Sequence, residues 1–139
     1  MTLENQSQFI NTEISGLPIG VRGLVHVVGR NDMAIPQEMG IRWVIKDPAG
    51  NVIEDYEDWA GWPAPTDVNP GDTHEFIGDR FDINKAGTWT MEIGLFMNSA
   101  SPVQIDSYSG VLCVVEALAG TIVKKELEYD ETRGDIPVQ

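Results

Sequence analysis

Apolar and polar residues alternate most regularly between residues 85 and 98. One face of an extended chain collects the apolar side chains of this stretch, which are Trp89, Met91, Ile93 and Leu95. The other face collects Thr88, Thr90 and Glu92. Alternation with a period of two is typical of a β-strand that lies with one face on a core. The stretch is therefore predicted to be a central strand of an antiparallel sheet.

A second alternating stretch predicts a β-hairpin. Ile41, Trp43 and Ile45 share one face of residues 40–46, and residues 52–56 form the return strand. The intervening residues 47–51, Asp-Pro-Ala-Gly-Asn, form a strong turn, because proline fixes φ and glycine accepts the left-handed conformation. The two strands are therefore expected to pair with each other.

The remaining segments complete an all-β prediction. Residues 8–15 are predicted as an edge strand and 20–31 as a second, central strand. Residues 103–115 are predicted as one long strand or as a strand pair broken at Gly110. Residues 73–83 are predicted as a strand bent at Gly78, with Phe76, Phe81 and Ile83 in the core. Residues 57–71 contain several prolines and form a long loop. We expect an antiparallel two-sheet sandwich of about seven strands in residues 1–118, followed by an extended C-terminal arm in residues 119–139.

The predicted arm carries apolar residues along an otherwise polar chain. Ile122, Leu127, Tyr129 and Ile136 are its candidate anchors, and Leu127 and Tyr129 share a face at a spacing of two. Such an arm can add a strand to a neighbour's sheet or dock in its groove. Alternatively, it covers an edge of its own sheet, since sheet edges need protection. A helix over residues 124–129 is a second structural alternative, because lysine and glutamate favour helices.

The charge of the chain restricts its partners. Its 139 residues include 22 acids and 9 lysines and arginines, for a net charge of −13. Nucleic acids and anionic membrane surfaces are disfavoured, because both are bound through clustered basic residues. Residues 1–8 carry neither the basic nor the apolar region typical of a secretory signal, and no apolar run is long enough for membrane insertion. We expect cytoplasmic synthesis without a signal peptide. Cys113, the single cysteine, lies in an apolar run and is expected to be buried.

Three aromatic residues in an acidic segment form a candidate binding site. Tyr56, Trp59 and Trp62 lie within Tyr-Glu-Asp-Trp-Ala-Gly-Trp, and ten of the acids fall between residues 47 and 82. They are interpreted in three ways: as a lid folded over the end of the sandwich, as anchors of a protein interface, or as a platform for a sugar ring. The sequence leaves these interpretations open.

The many acids also raise the question of metal binding and catalysis. Asp55, Asp58, Asp79 and Asp82 could contribute to a calcium site, but the Asp-x-Asp-x-Asp-Gly spacing is missing. No zinc spacing and no enzymatic motif occurs in the sequence. We therefore expect no catalytic residue, no metal, no cofactor and no enzymatic activity.

Two tryptophans give the chain a resemblance to a known superfamily. Trp43 lies on the predicted third strand, and Ala86-Gly87-Thr88-Trp89 forms the turn and first residues of the predicted sixth strand. Over residues 8–115 the chain resembles the immunoglobulin-like β-sandwich superfamily, in which these positions hold a buried tryptophan and a Gly-Thr-Tyr sequence. The family's disulfide is absent, because Cys113 has no partner. The resemblance implies that the corner bond of the family's tyrosine is either absent here or remade by the indole N–H of Trp89.

These observations favour a non-enzymatic structural or interaction protein that assembles with itself or with a larger lattice. A virion component, such as a capsid decoration or tail protein, is one setting that meets them. The alternatives are a carbohydrate-binding module that uses Tyr56, Trp59 and Trp62, and an acidic, calcium-stabilised adhesion module. Protein partners are expected in the first case, most simply copies of the chain itself.

Overall fold

The chain folds as an all-β protein. The structure is a computed structural model, and it describes residues 14–61 and 64–136. Every regular element in these two ranges is a β-strand, and they contain no helix that could span a membrane. The strands are β1 Ile14–Pro18, β2 Arg22–Gly23, β3 His26–Arg30, β4 Gln37–Lys46, β5 Val52–Trp59, β6 Asp67–Val68, β7 Thr73–Ile77, β8 Phe81–Asp82, β9 Gly87–Met97, β10 Val103–Glu116, β11 Glu126–Tyr129 and β12 Thr132–Asp135.

A six-stranded sheet forms the largest part of the fold. Its strand order is β1-β10-β9-β4-β5, and β6 pairs with the first residues of β4. All neighbours are antiparallel except β1, which runs parallel to the end of β10. The alternating stretch of residues 85–98 thus becomes β9, which is paired on both sides, and its prediction as a central strand is confirmed. The predicted hairpin of residues 40–56 is confirmed as β4 and β5.

Two short antiparallel pairs, β3–β7 and β2–β8, lie against one face of the six-stranded sheet. Gly29 of β3 is so close to the sheet that an added Cβ would lie 2.8 Å from a methyl group of Leu95. Gly78, which separates β7 from β8, approaches the Trp43 ring in the same way. The core fills the space between, and its largest buried side chains include Trp43, Trp89 and Phe76. The predicted burial of Phe76, Phe81, Ile83 and Cys113 is confirmed.

The turn between β4 and β5 is organised by a buried aspartate. Asp47 Oδ1 accepts hydrogen bonds from the backbone N–H groups of Ala49 and Asn51, each at 2.9 Å. Its Oδ2 accepts one from Lys85 Nζ at 2.7 Å. The Lys85 ammonium group and these backbone donors stabilise the carboxylate, and they lower the pKa of Asp47 to about 2 despite its burial.

The corner before β9 is closed by an indole. Trp89 is fully buried, and its Nε1–H donates to the carbonyl oxygen of Lys85 at 3.0 Å. Of the two alternatives for this corner, the bond remade by the indole is therefore the one observed. Trp43, also fully buried, donates its Nε1–H to Glu54 Oε1 at 2.8 Å. Both indoles thus keep a hydrogen-bond partner inside an apolar core, as buried tryptophans usually do.

Several predictions of strand boundaries were wrong. Residues 20–31 are not one central strand but form β2 and β3, each in a two-stranded pair. The break between them lies opposite residues 78–80, the bend between β7 and β8, where the backbone N–H of Gly78 donates to the carbonyl oxygen of Val25. The loop predicted for residues 57–71 begins later, since β5 continues to Trp59. Short pairs of this kind raise the strand number of the described residues to twelve, against about seven predicted.

Candidate functional sites

The C-terminal arm ends in an exposed hairpin. Residues 116–136 are exposed throughout, and β11 and β12 pair with each other and with no third strand of the described chain. The helix alternative for residues 124–129 is therefore wrong. Residues 8–13 of the predicted edge strand and residues 137–139 of the predicted arm lie outside the described residues.

The two faces of this hairpin differ in chemistry. Strand alternation and the observed register place Leu127, Tyr129 and Ile136 on one face, and each of them is between 43% and 55% exposed. The opposite face carries Glu126, Glu128, Arg133 and Asp135. Arg133 Nη1 lies 3.7 Å from Glu126 Oε1, and Arg133 Nη2 lies 3.5 Å from Glu128 Oε1. Ile122, before the hairpin, is 67% exposed. The four predicted anchors are thus available to a partner.

The predicted aromatic site is divided between two faces of the sheet. Tyr56 pairs with Trp43 across the strands and stacks on its ring, with centroids 4.5 Å apart. The Tyr56 hydroxyl donates to Asp58 Oδ2 at 3.1 Å, and partial burial with this neighbouring carboxylate raises the pKa of Tyr56 to about 12. Trp59 lies at an odd spacing from Tyr56 and therefore faces the other side of β5. Trp62 lies outside the described residues.

The outward face of the six-stranded sheet brings together residues that the sequence did not single out as a site. The register aligns side chains of four adjacent strands in three rows across the sheet. The first row runs Gln104, Phe96, Gly40, Trp59; the second runs Ser107, Gly94, Arg42, Glu57; the third runs Ser109, Glu92, Val44, Asp55. We call this surface the outer face. In the sequence, this surface is indicated only by the polar positions of the alternating pattern in β4 and β9.

Two glycines allow neighbouring side chains to lie directly over the outer face. A Cβ added to Gly40 would lie 2.6–2.7 Å from three atoms of the Trp59 indole. Because the Cα–Cβ direction is roughly perpendicular to a sheet, nearly equal distances to three ring atoms mean that the indole lies flat over Gly40. The Phe96 ring and the Gln104 amide approach Gly94 similarly. A groove of about 300 Å³ lies above Gly94, and a smaller one of about 70 Å³ adjoins it beside Trp59.

The charged groups near this groove are partly paired. The Arg42 guanidinium donates to both oxygens of Asp55, at 3.1 and 3.2 Å. Two other acids that the sequence offers for a calcium site make separate contacts. Asp58 Oδ2 accepts a hydrogen bond from the Tyr56 hydroxyl, and Asp82 Oδ1 lies 3.6 Å from Arg22 Nε. In residues 14–61 and 64–136, no three His, Cys, Asp or Glu side chains converge as a metal site would require. Burial raises the pKa of the Cys113 thiol, which disfavours the reactive thiolate.

Comparisons with known proteins give distant structural similarity only. No family model matches the sequence, and no curated protein matches it. Among solved structures, the chain is similar to the C-terminal domain of Wzt, with 16% identity over 77% of this chain and 65% of that chain and a TM-score of 0.44. It is also similar to the putative ApaA protein from Bordetella pertussis, with 12% identity over 70% of this chain and 97% of that chain and a TM-score of 0.42. The chain thus spans slightly less than two thirds of the Wzt domain.

Proposed function

We propose that this protein is a non-enzymatic structural or interaction protein, and that its C-terminal hairpin joins it to further copies of itself. The observation that supports this proposal is the apolar face of the hairpin, formed by Leu127, Tyr129 and Ile136, which is exposed among the described residues. Residues 1–118 then form the body of the protein, and residues 119–139 form a docking arm.

An isolated hairpin gains little from folding by itself. Two strands without a third strand or a packed face are marginally stable in water, because they bury too little apolar surface. The apolar face of β11–β12 is exposed, and its turn places non-glycine residues at positive φ, 41° at Asp130 and 70° at Glu131. A partner surface that covers Leu127 and Tyr129 would supply the missing stabilisation.

A second copy is the partner that the chain itself provides for. Between Val103 and Leu112, β10 pairs only with β9 in the described part of the chain, because β1 reaches only its last residues. Val103 and Ile105 in this segment are exposed. The opposite edge of the sheet, β5, carries Glu54, Asp55, Glu57 and Asp58, which discourage strand addition. The arm of one copy is therefore expected to add to the β10 edge of the next.

We also propose that the body is an immunoglobulin-like two-sheet sandwich. The six-stranded sheet would form one layer, and the β3–β7 and β2–β8 pairs the other. Three features support this assignment: the pairing order β10-β9-β4-β5 with β1 parallel to β10, the buried Trp43 on β4, and the corner bond of Trp89.

The proposed contact is of the head-to-tail kind. A donor surface on one copy meets a different, acceptor surface on the next, so the contact generates a ring if the rotation closes and a filament if it does not. Repeating assemblies of this type suit a virion component, such as a capsid decoration or tail protein, and this setting forms part of the proposal.

The proposal is tested by measuring the oligomeric mass in solution. Sedimentation velocity should show assemblies for the wild type and a single chain for the double variant Leu127→Ser, Tyr129→Ser. Glu128→Gln is the matched control, because it changes the opposite face of the same hairpin and should assemble normally. A wild type that remains monomeric at high concentration would contradict the proposal.

Complementation distinguishes the head-to-tail contact from other modes of assembly. Val103→Lys with Ile105→Lys removes the acceptor edge and keeps the arm, whereas Leu127→Ser with Tyr129→Ser removes the arm anchors and keeps the edge. Each variant alone should be monomeric, and their mixture should form dimers and nothing larger, because only one intact contact remains. A mixture that stays monomeric would exclude the β10 edge as the acceptor.

A further inference from the structure

We propose that the groove of the outer face binds a neutral oligosaccharide. This site differs from the platform of Tyr56, Trp59 and Trp62, because it uses the faces of four strands and excludes Tyr56, which points toward the core side. The described residues of the C-terminal arm do not line it, whereas β10, the proposed acceptor edge, borders it through Gln104, Ser107 and Ser109. Glycan binding would use the face of the sheet and assembly the edge of β10, so each can be tested without the other.

Trp59 provides the apolar surface of the site. Its indole lies flat over Gly40, so that one ring face covers the backbone and the other is directed outward. Glycine at position 40 permits this placement, because any side chain there would occupy the space of the ring. A flat, partly exposed aromatic ring offers the C–H face of a sugar ring a large contact area at a small entropic cost.

Polar side chains border the groove on the side of β9 and β10. Ser107 and Ser109 lie in adjacent rows on β10, and Gln104 lies at the end of the row that contains Trp59. Hydroxyl and amide groups both donate and accept hydrogen bonds, as sugar hydroxyl groups do. Among the described residues, no side-chain hydrogen bond occupies Gln104, Ser109 or Glu92. Their hydrogen-bonding capacity remains available to a ligand.

The charges of the groove favour an uncharged ligand. Asp55, Glu57 and Glu92 lie in the second and third rows, and Arg42 is the one basic residue there. Asp55 already neutralises Arg42 through two hydrogen bonds. Phosphate, sulfate or carboxylate groups on a ligand would meet the unpaired acids, and like charges in contact are unfavourable. Neutral sugars avoid this cost and can use the carboxylates as hydrogen-bond acceptors.

The dimensions fit more than one sugar ring. Neighbouring rows are two residues apart along a strand, so the first and third rows are separated by four residues, or about 13 Å. The rows also cross four strands, which adds about 14 Å in the perpendicular direction. The main cavity of about 300 Å³ and the adjoining one of about 70 Å³ share Arg42 and Phe96 in their walls. A short oligosaccharide stacked on Trp59 would extend diagonally across the three rows, toward Ser109 on β10.

A glycan array that carries both neutral and acidic oligosaccharides tests the proposal with the full chain. Neutral glycans should bind, and binding should fall by at least about tenfold in Trp59→Ala, a loss typical of a central aromatic anchor. Ser107→Trp should block the groove from the β10 side without disturbing the core. Thr88→Trp is its matched control, because Thr88 is exposed on the same face of β9 outside the groove.

Every outcome decides the question. Loss of neutral-glycan binding in Trp59→Ala and Ser107→Trp, with Thr88→Trp unaffected and unchanged melting temperatures in all three, would support the groove. Retained binding in Ser107→Trp would move the site away from the groove and overturn the proposal. Binding confined to acidic glycans, or no glycan binding by the wild type, would overturn it as well. The sedimentation of the wild type tests assembly separately, so failure of one proposal leaves the other intact.

Discussion

Asn31 is the residue for which the structure supports the sharpest stability prediction. It is fully buried between the turn that follows β3 and the segment that connects β6 with β7. Its Nδ2 donates to the carbonyl oxygens of Val68 and Ile35 at 2.8 and 3.0 Å, and its Oδ1 accepts from the backbone N–H of Met33 at 2.8 Å. One side chain thus satisfies backbone groups of three residues, of which only Val68 lies in a strand.

Replacing Asn31 with alanine removes these three bonds and leaves their backbone partners without them. Each intramolecular hydrogen bond contributes about 1 kcal/mol, so Asn31→Ala should lower the free energy of unfolding by about 3 kcal/mol. This is a large fraction of the ~5–15 kcal/mol that stabilises a typical domain. Urea denaturation at neutral pH, followed by tryptophan fluorescence, measures the loss, since Trp43 and Trp89 are both buried.

Asn31→Asp refines the test by making the loss depend on pH. A carboxylate would keep the acceptor bond from Met33 but direct a charged oxygen at the carbonyls of Ile35 and Val68. The folded state then favours the protonated acid, and the pKa of the new carboxyl group is raised above its unfolded value of about 3.9. Relative to the wild type, the stability of Asn31→Asp is therefore highest below about pH 4 and falls as pH rises toward the raised pKa.

Asn69→Ala provides the control, because Asn69 is exposed on the neighbouring turn. Its effect should stay within about 0.5 kcal/mol, as for most surface substitutions. An Asn31→Ala loss no larger than that of Asn69→Ala would refute the assigned role. The same holds for an Asn31→Asp variant whose stability relative to the wild type does not change between pH 3 and pH 7.

Three further predictions concern single features of the fold. The pKa of Asp47 is lowered to about 2, so its contribution to stability is present above the unfolded pKa of about 3.9 and is lost as pH falls toward 2. The melting temperature of the wild type, measured against pH, should show this loss. The Asp47→Asn variant should give a flatter profile. Trp89→Phe should lower the free energy of unfolding by roughly 2 kcal/mol, from the lost bond to Lys85 and a small cavity, and an unchanged urea midpoint would contradict this. The double variant Asp130→Asn, Glu131→Gly replaces the two turn residues with ones that adopt positive φ values more easily. Amide hydrogen exchange in β11 and β12 should therefore slow by about tenfold. Equal or faster exchange would argue against a strained turn.

The sequence predicts the sheet well where one face is buried. In β4 and β9, every second residue enters the core, and the alternation of apolar and polar side chains reports this directly. Prediction failed for residues 20–31, where Leu24 is adjacent to Val25 and Val27 to Val28, so that apolar side chains fall on both faces. Such a run does not indicate which side chains face inward, and Val28 is in fact exposed. The division of this run into β2 and β3 depends on contacts with residues 76–82, about 50 positions away.

The candidate sites were predictable to different degrees. The anchors of the arm follow from local spacing, because Leu127 and Tyr129 belong to one strand and share its face. The placement of Tyr56 and Trp59 on opposite faces was missed because Trp59 was assigned to a loop, where strand parity does not apply. Once β5 extends to Trp59, an odd spacing separates the two rings onto opposite faces. A shift of the predicted strand end by three residues therefore changes the composition of the site.

The outer face illustrates a limit that no local pattern overcomes. The Trp59 ring covers Gly40 only because the two residues lie in one row, and a row is defined by the register between strands. A shift of one residue in either pairing would turn all the side chains of that strand to the core face and eliminate the groove. The core residues of β4 and β9 fix this register, because Trp43 and Trp89 can be buried in only one alignment. Burial on the inner face thus determines the chemistry available on the outer face.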